Sequence, residues 1–336
     1  MAEKVLIIGP SWVGDMILAQ SLFMLLKASR PGVTIDVAAP TWTVPLLERM
    51  PEVHTGITLP FRHGKFDLMQ RIRIGCKLRG AGYTQTILLT NSLKSAIVPF
   101  CAGIPRRTGF VGEMRYGLLN DMRPLDKQRL PKTVERFAVL GLGIGEDIPQ
   151  SLPLPRLSAS KTGAVAALAK LGRNLPERPV LGLCPGAEYG PAKRWPEEHY
   201  AAVARWALAN GWDVWLFGSE KDAAITRAIN QHTQNACLDV GGKTTLAETI
   251  DLMSLTDTVI SNDSGLMHLT AALDKNLVAI YGSSDPHHTP PMSNKASIMH
   301  LGLDCGPCFK RTCPLGHLKC LKDISPNNVI KRLRPL

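Results

Sequence analysis

The chain has 336 residues, 45% hydrophobic and 20% charged, an ordinary globular composition that suits two moderate domains better than one. No apolar run reaches the roughly 18 residues of a membrane-spanning helix, and Asp15 interrupts the stretch beyond Val5–Gly9, which makes a poor signal peptide; a cytoplasmic protein is expected. Lys and Arg number 39 against 28 Asp and Glu, a net +11, with 19 of those cations and 12 of those anions in residues 1–155, so an anionic partner is expected.

In chain order, Val5–Ile8 reads as a strand, Asp15 to about Ala28 as a helix, Thr34–Ala38 and Thr86–Leu89 as strands, and Lys94–Cys101 as a helix. Alternation of this kind predicts βαβ units and a parallel sheet. After the first strand comes Gly9-Pro-Ser-Trp-Val-Gly14-Asp15-Met16, which has P-loop glycine spacing but an acid where the phosphate-binding lysine belongs. It is not a dinucleotide fingerprint either. A carboxylate in a glycine-bounded turn over a sheet edge suits a general base, although an acid in a first helical turn also complements the helix dipole.

Basic residues are densest from Arg62 to Arg79, where Arg62, Lys65, Arg71, Arg73, Lys77 and Arg79 face only Asp67. Such a patch attracts a phosphorylated substrate or an anionic membrane, or is simply a solvated helix face. With only Phe61 and Phe66 nearby, stacking on nucleic acid is not favoured. Residues 145–160 are rich in Pro and Ser and mark a break. The division drawn is 1–155, a linker over 156–176, and 177–336.

Alternation then restarts with strands at Pro179–Cys184, Asp213–Phe217, Thr256–Ile260 and Leu277–Tyr281, and helices at Glu197–Asn210 and Glu220–Gln231. Two doubly wound domains facing each other across a cleft are expected. At the strand ends, Lys193 or Arg194 can neutralise a diphosphate and Glu220 can accept from ribose hydroxyls. The stretch Ser261-Asn-Asp-Ser-Gly-Leu-Met-His268 joins a strand to an apolar helix, the position where α/β sheets bind anionic ligands. Asp263 or Ser264 acting only as a helix cap is the plainer alternative. No Asp-x-Asp pair is present to hold a divalent ion. Cys305, Cys308, Cys313 and Cys320 have a C-x2-C-x4-C-x6-C spacing that can ligate zinc. The single tight pair and the basic Lys310, Arg311 and Lys319 argue for free thiols in a loop instead, and no metal is expected.

Gly9–Met16, Arg107-Thr-Gly109, Arg115–Asn120, Pro185-Gly-Ala-Glu-Tyr-Gly-Pro-Ala-Lys-Arg-Trp-Pro196 and Asn262–His268, in this order, resemble the ADP-heptose:lipopolysaccharide heptosyltransferases of glycosyltransferase family 9. The likeness runs over nearly the whole chain and is greatest to members that add the second heptose. The resemblance implies a GT-B fold, an acceptor domain followed by a nucleotide-sugar domain, and no required cofactor. It implies inverting transfer of L-glycero-D-manno-heptose from ADP-heptose to heptosyl-Kdo2-lipid A, at the inner face of the cytoplasmic membrane. By the same resemblance Asp15 is the general base, Lys193 binds the diphosphate, and Asp263, Ser264, Gly265, Leu266 and His268 hold the diphosphate and heptose. Glu220, with Asp222 in competition, is a ribose ligand and Thr244 an adenine contact. Arg62, Lys65, Arg71, Arg73 and Arg115 face the phosphorylated acceptor, and the last helix packs back on the first domain. Transfer of the first or a later heptose, a GT-B nucleotide-sugar 2-epimerase, and a non-catalytic sugar-nucleotide-binding or membrane-docking protein remain as alternatives.

Overall fold

Val5, Leu6, Ile7 and Ile8 are all buried in β1 (Lys4–Ile8), since a central parallel strand is covered by helices on both faces. The computed structural model describes residues 3–61 and 65–333 and separates after Pro155 into two units. In the first, β1 leads to α1 (Val13–Ser29), β2 (Thr34–Pro40), α2 (Val44–Leu47), β3 (Thr55–Leu59), α3 (Leu68–Leu78), β4 (Gln85–Leu88), α4 (Ile97–Cys101), β5 (Arg106–Phe110), β6 (Asp121–Arg123) and α5 (Thr133–Val139). The sheet is parallel throughout, in the order β3-β2-β1-β4-β5-β6. Helix α1 is apolar almost all round, with Met16–Phe23 buried, because it lies between this sheet and α5.

The second unit runs α6 (Lys161–Lys170), β7 (Val180–Cys184), α7 (Glu197–Ala209), β8 (Asp213–Leu216), α8 (Ala223–His232), β9 (Leu238–Asp239), α9 (Leu246–Met253), β10 (Thr258–Asn262), α10 (Gly265–Ala272), β11 (Asn276–Ile280), β12 (Ala296–Met299), α11 (Lys319–Lys322) and α12 (Pro326–Leu333). Its order, β12-β11-β10-β7-β8-β9, repeats the topology of the first sheet. Each sheet reverses its winding between two central strands, β1 and β4 in one and β10 and β7 in the other. The crevice beyond the strand ends at that point is where such sheets bind ligands.

One expectation changes. The segment 156–176 is not a bare linker: α6 is capped by Ser160 Oγ, which accepts from Gly163 N at 3.0 Å, and Ser160 N donates to Asp251 Oδ1 of α9 at 2.7 Å. Ala164, Ala167 and Leu168 are buried, so this stretch is part of the second unit. The last helix buries Val329 and Leu333 in the second core, against α7.

Candidate active site

In the second unit the turns after β7 and β10 meet at the switch point. Asn262, fully buried at the end of β10, ties them together. Its Oδ1 accepts from Trp195 N and from Tyr200 OH, each at 3.0 Å, and its Nδ2 donates to Pro185 O at 2.7 Å. Gly186 belongs in this turn because a Cβ there would come within 2.3 Å of the Asp222 carboxyl carbon. The loop 185–196 therefore has a set course, and its 3-10 turn Pro191–Lys193 aims Lys193 at the start of α10.

Lys193 Nζ donates to Asp263 Oδ2 at 2.5 Å, and Ser284 Oγ donates to the same oxygen at 2.5 Å. Asp263 and Ser284 are 5% and 3% exposed, so the lysine keeps the buried carboxylate neutralised. The Lys193 ammonium also lies 5.1 Å from the centre of the Tyr189 ring. The helix-cap alternative does not hold. Ser264, the N-cap residue of α10, makes no side-chain cap bond, and Asp263 is engaged by Lys193 and Ser284. The first N–H groups of α10, at Gly265 and Leu266, thus lack a side-chain cap and point where an anion binds. His268, one turn into α10, is buried with its Nδ1 unpartnered. Burial drives its pKa down to about 4, Asp263 pulls it up, and Lys193 pushes it down, so the imidazole is neutral near pH 7.

The neighbouring strand end separates two competing acids. Asp222 is buried, and its Oδ2 accepts from Ser219 N at 3.0 Å and Ser219 Oγ at 2.7 Å. It organises the turn and has no free face for ribose, whereas Glu220 is exposed. Thr244 is half-buried and shares a hydrogen bond of 3.0 Å with Thr249 Oγ1 just before α9. Ser284 is the residue that reading for charge and capping passed over. It follows the apolar run of β11 and so occupies another strand end, which was the available signal.

In the first unit Asp15 is the third residue of α1 and half-buried at the switch point. Two of the arginines expected to face an acceptor belong to the scaffold instead. Arg115 is 2% exposed, and its guanidinium donates to Thr90 O at 2.8 Å, Gly112 O at 3.3 Å, Asn91 Oδ1 at 3.3 Å and Phe110 O. It braces the loops that leave β4 and β5. Arg71, 5% exposed, donates to Phe66 O at 2.7 Å and Lys94 O at 3.1 Å and lies 3.8 Å over the Phe61 ring. Burial removes both from contact with a bulky phosphorylated ligand. Lys65 and Arg73 are exposed, while Arg62 lies outside the described residues.

Cys305, Cys308, Cys313, Cys320 and His317 line a common cavity of about 20 Å³. Backbone N–H groups of Leu318, Leu315, Gly316 and His317 hold the Cys313 thiol below its usual pKa. Among the described residues, however, no three His, Cys, Asp or Glu side chains are grouped to hold a metal ion. The segment braces the Lys193 turn: Ala192 N donates to Arg311 O at 3.0 Å, Phe309 N to Ser283 O at 2.7 Å, and Tyr189 OH to Phe309 O at 2.6 Å.

The sequence pattern of glycosyltransferase family 9 (heptosyltransferase) matches residues 71–319. The chain is 45% identical, over 99% of its length and 98% of theirs, to the lipopolysaccharide heptosyltransferase 2 proteins of Salmonella typhimurium and Escherichia coli. The solved E. coli ADP-heptose lps heptosyltransferase II is 43% identical, with a TM-score of 0.88 over 98% of this chain and 97% of that one. An E. coli heptosyltransferase solved with ADP, 20% identical, shares the fold with a TM-score of 0.73 over 98% of each chain.

Proposed function

The chain belongs to glycosyltransferase family 9, the heptosyltransferases, and we propose that it transfers L-glycero-D-manno-heptose from ADP-heptose to the first heptose of heptosyl-Kdo2-lipid A, in the lipopolysaccharide inner core. Its two sheets are those of the GT-B fold. The relatives that match nearly end to end are named for the second heptosyl transfer, and this supports the second position over the first or a later one.

The observation that carries the donor reading is the Lys193–Asp263 pair beside an uncapped helix start. A nucleoside diphosphate needs cation and N–H donors, and the leaving ADP needs them more as charge develops on it. Lys193 and the N–H groups of Gly265 and Leu266 supply both. Asp263 would repel phosphate and so serves the heptose hydroxyls, with Ser264 and the neutral His268 beside it. Glu220 takes the ribose, and Thr244 borders the adenine. Asp15 removes the proton of the acceptor hydroxyl as that oxygen attacks the anomeric carbon, and ADP departs from the opposite face with inversion. No cofactor is required in this reading.

The first unit takes the acceptor. Lys65 and Arg73 suit the phosphates of a lipid A–Kdo acceptor, and the exposed cations suit the anionic inner face of the cytoplasmic membrane. Among the described residues no helix is long and apolar enough to cross a membrane; in this reading the protein works from the cytoplasm, attached peripherally to that face.

Incubation with ADP-heptose and defined acceptors tests this. The expected result is addition of one heptose to heptosyl-Kdo2-lipid A, with ADP release dependent on that acceptor. Preference for Kdo2-lipid A would reassign the chain to the first transfer. Turnover of ADP-heptose without any acceptor would point to epimerase-type chemistry instead.

A further inference from the structure

Six tryptophans occur in the chain, and large indoles are normally buried or half-buried. Trp195 and Trp215 are 2% and 4% exposed, and Trp206 and Trp212 are partly buried against the second core. The other two stand out in the first unit, Trp12 at 45% and Trp42 at 48% exposed. Both lie beyond the C-terminal ends of adjacent strands, Trp12 after β1 and Trp42 after β2. The two loops are tied together, since Trp42 Nε1 donates to Ser11 O at 2.8 Å. Trp12 is in turn the N-cap residue of the helix whose third residue is Asp15.

A tethered indole with a free face has a definite chemistry. The N–H is already satisfied, so what remains on offer is a flat apolar surface held at a set angle. One face of a pyranose ring is a row of C–H groups and stacks on such a surface while its hydroxyls stay in water. We propose that Trp42, with Trp12 beside it, is a carbohydrate platform that orients an acceptor pyranose next to Asp15. The inference rests on the reading of Asp15 as the base. It adds a subsite that recognises the acceptor by its sugar ring rather than by its phosphates. Orientation is the purpose, because a hydroxyl must approach a fixed carboxylate in one direction to be deprotonated as it attacks.

The test uses the full-length protein, ADP-heptose and a deacylated, soluble heptosyl-Kdo saccharide, so that no bilayer takes part. Trp42→Ala should raise the acceptor KM about tenfold, equivalent to about 1.4 kcal/mol, and leave the donor KM unchanged. Trp42→Phe keeps an aromatic face but loses the bond to Ser11, and should stay within about threefold of the parent. Indole emission should shift when the saccharide is added, and less so in Trp42→Phe. An unchanged acceptor KM in Trp42→Ala overturns the proposal. So does a Phe variant as poor as the Ala one, since that would mean the residue only holds the Ser11 loop. Loss of binding to anionic vesicles with normal use of the soluble saccharide would also overturn it, in favour of membrane insertion. Asp15→Asn serves as the control: normal turnover in that variant fails the base reading, whereas the emission shift speaks to the platform alone.

Discussion

The two sheets have the same strand order and reverse their winding at equivalent positions, yet the edges at those positions are built differently. In the second unit charge converges: the half-buried Lys193 and the buried Ser284 both donate to the buried Asp263, and the neutral His268 is buried within reach of their charges. In the first unit charge has been drawn away from the edge. Arg71 and Arg115 are internal braces, and what remains at the rim is a half-buried carboxylate, exposed indoles and scattered surface cations. A small, highly charged ligand needs preorganised dipoles, because a rearrangement at each turnover would cost what the contacts gain. A large amphipathic acceptor is held by area, with one group exact in its chemistry. On the proposed reading, one topology supports two kinds of binding through what its strand ends carry.

The sharpest way to break that contrast is at Asp15, the base of the proposed reaction. Asp15→Asn keeps the size and helical position of the side chain but cannot accept the proton. Turnover should fall about a thousandfold, while calorimetry shows ADP binding as in the parent. Weaker ADP binding of similar size would mean that Asp15 belongs to the donor side, and the contrast would fail.

The braces come next. Arg115→Met leaves the carbonyls of Thr90, Phe110 and Gly112 without their shared donor in a buried position, a loss of about 3 kcal/mol in denaturant unfolding. The dependence of the acceptor KM on acceptor phosphorylation should stay as in the parent. If stability is kept and phosphate dependence vanishes, Arg115 is a ligand contact after all.

Arg71, Arg73 and Arg115 look alike in the amino-acid sequence, because burial is a property of the packed chain. That is why the acceptor patch was the least legible part of the site. Strands were legible where they are central: Val5–Ile8, Val180–Cys184 and Leu277–Ile280 are unbroken apolar runs because both faces are covered. The outer strands β3, β9 and β12 were not, since one side meets solvent and their composition is mixed or their length only two residues. Strand β5 begins with two arginines and was missed for that reason. Asp15 and Asp263 stood out as candidates because each is a charge beyond an apolar strand, and Lys193 because it is a cation in the Gly/Pro-rich loop after another. Ser284 has the same position without the charge, and Asn262 ends a strand whose polar side chain only the folded turn explains.

The smallest effect expected concerns the neutral histidine, and it bears on the convergence itself. His268 has a folded pKa of about 4 because burial and Lys193 together outweigh Asp263, against about 6.5 in an unfolded chain. Between those values the unfolded state binds the proton and the folded state does not, so stability rises with pH across this window. Acidifying from about pH 7 to about pH 5 should therefore cost about 2 kcal/mol through this residue alone. His268→Gln removes the titrating group and should flatten that part of the pH profile of unfolding, while the carboxylate contributions at lower pH persist. An unaltered slope would mean that the imidazole takes up its proton in place, with Asp263 prevailing over Lys193. The second sheet's edge would then be a cation-rich site that adjusts to pH rather than one preset for an anionic donor.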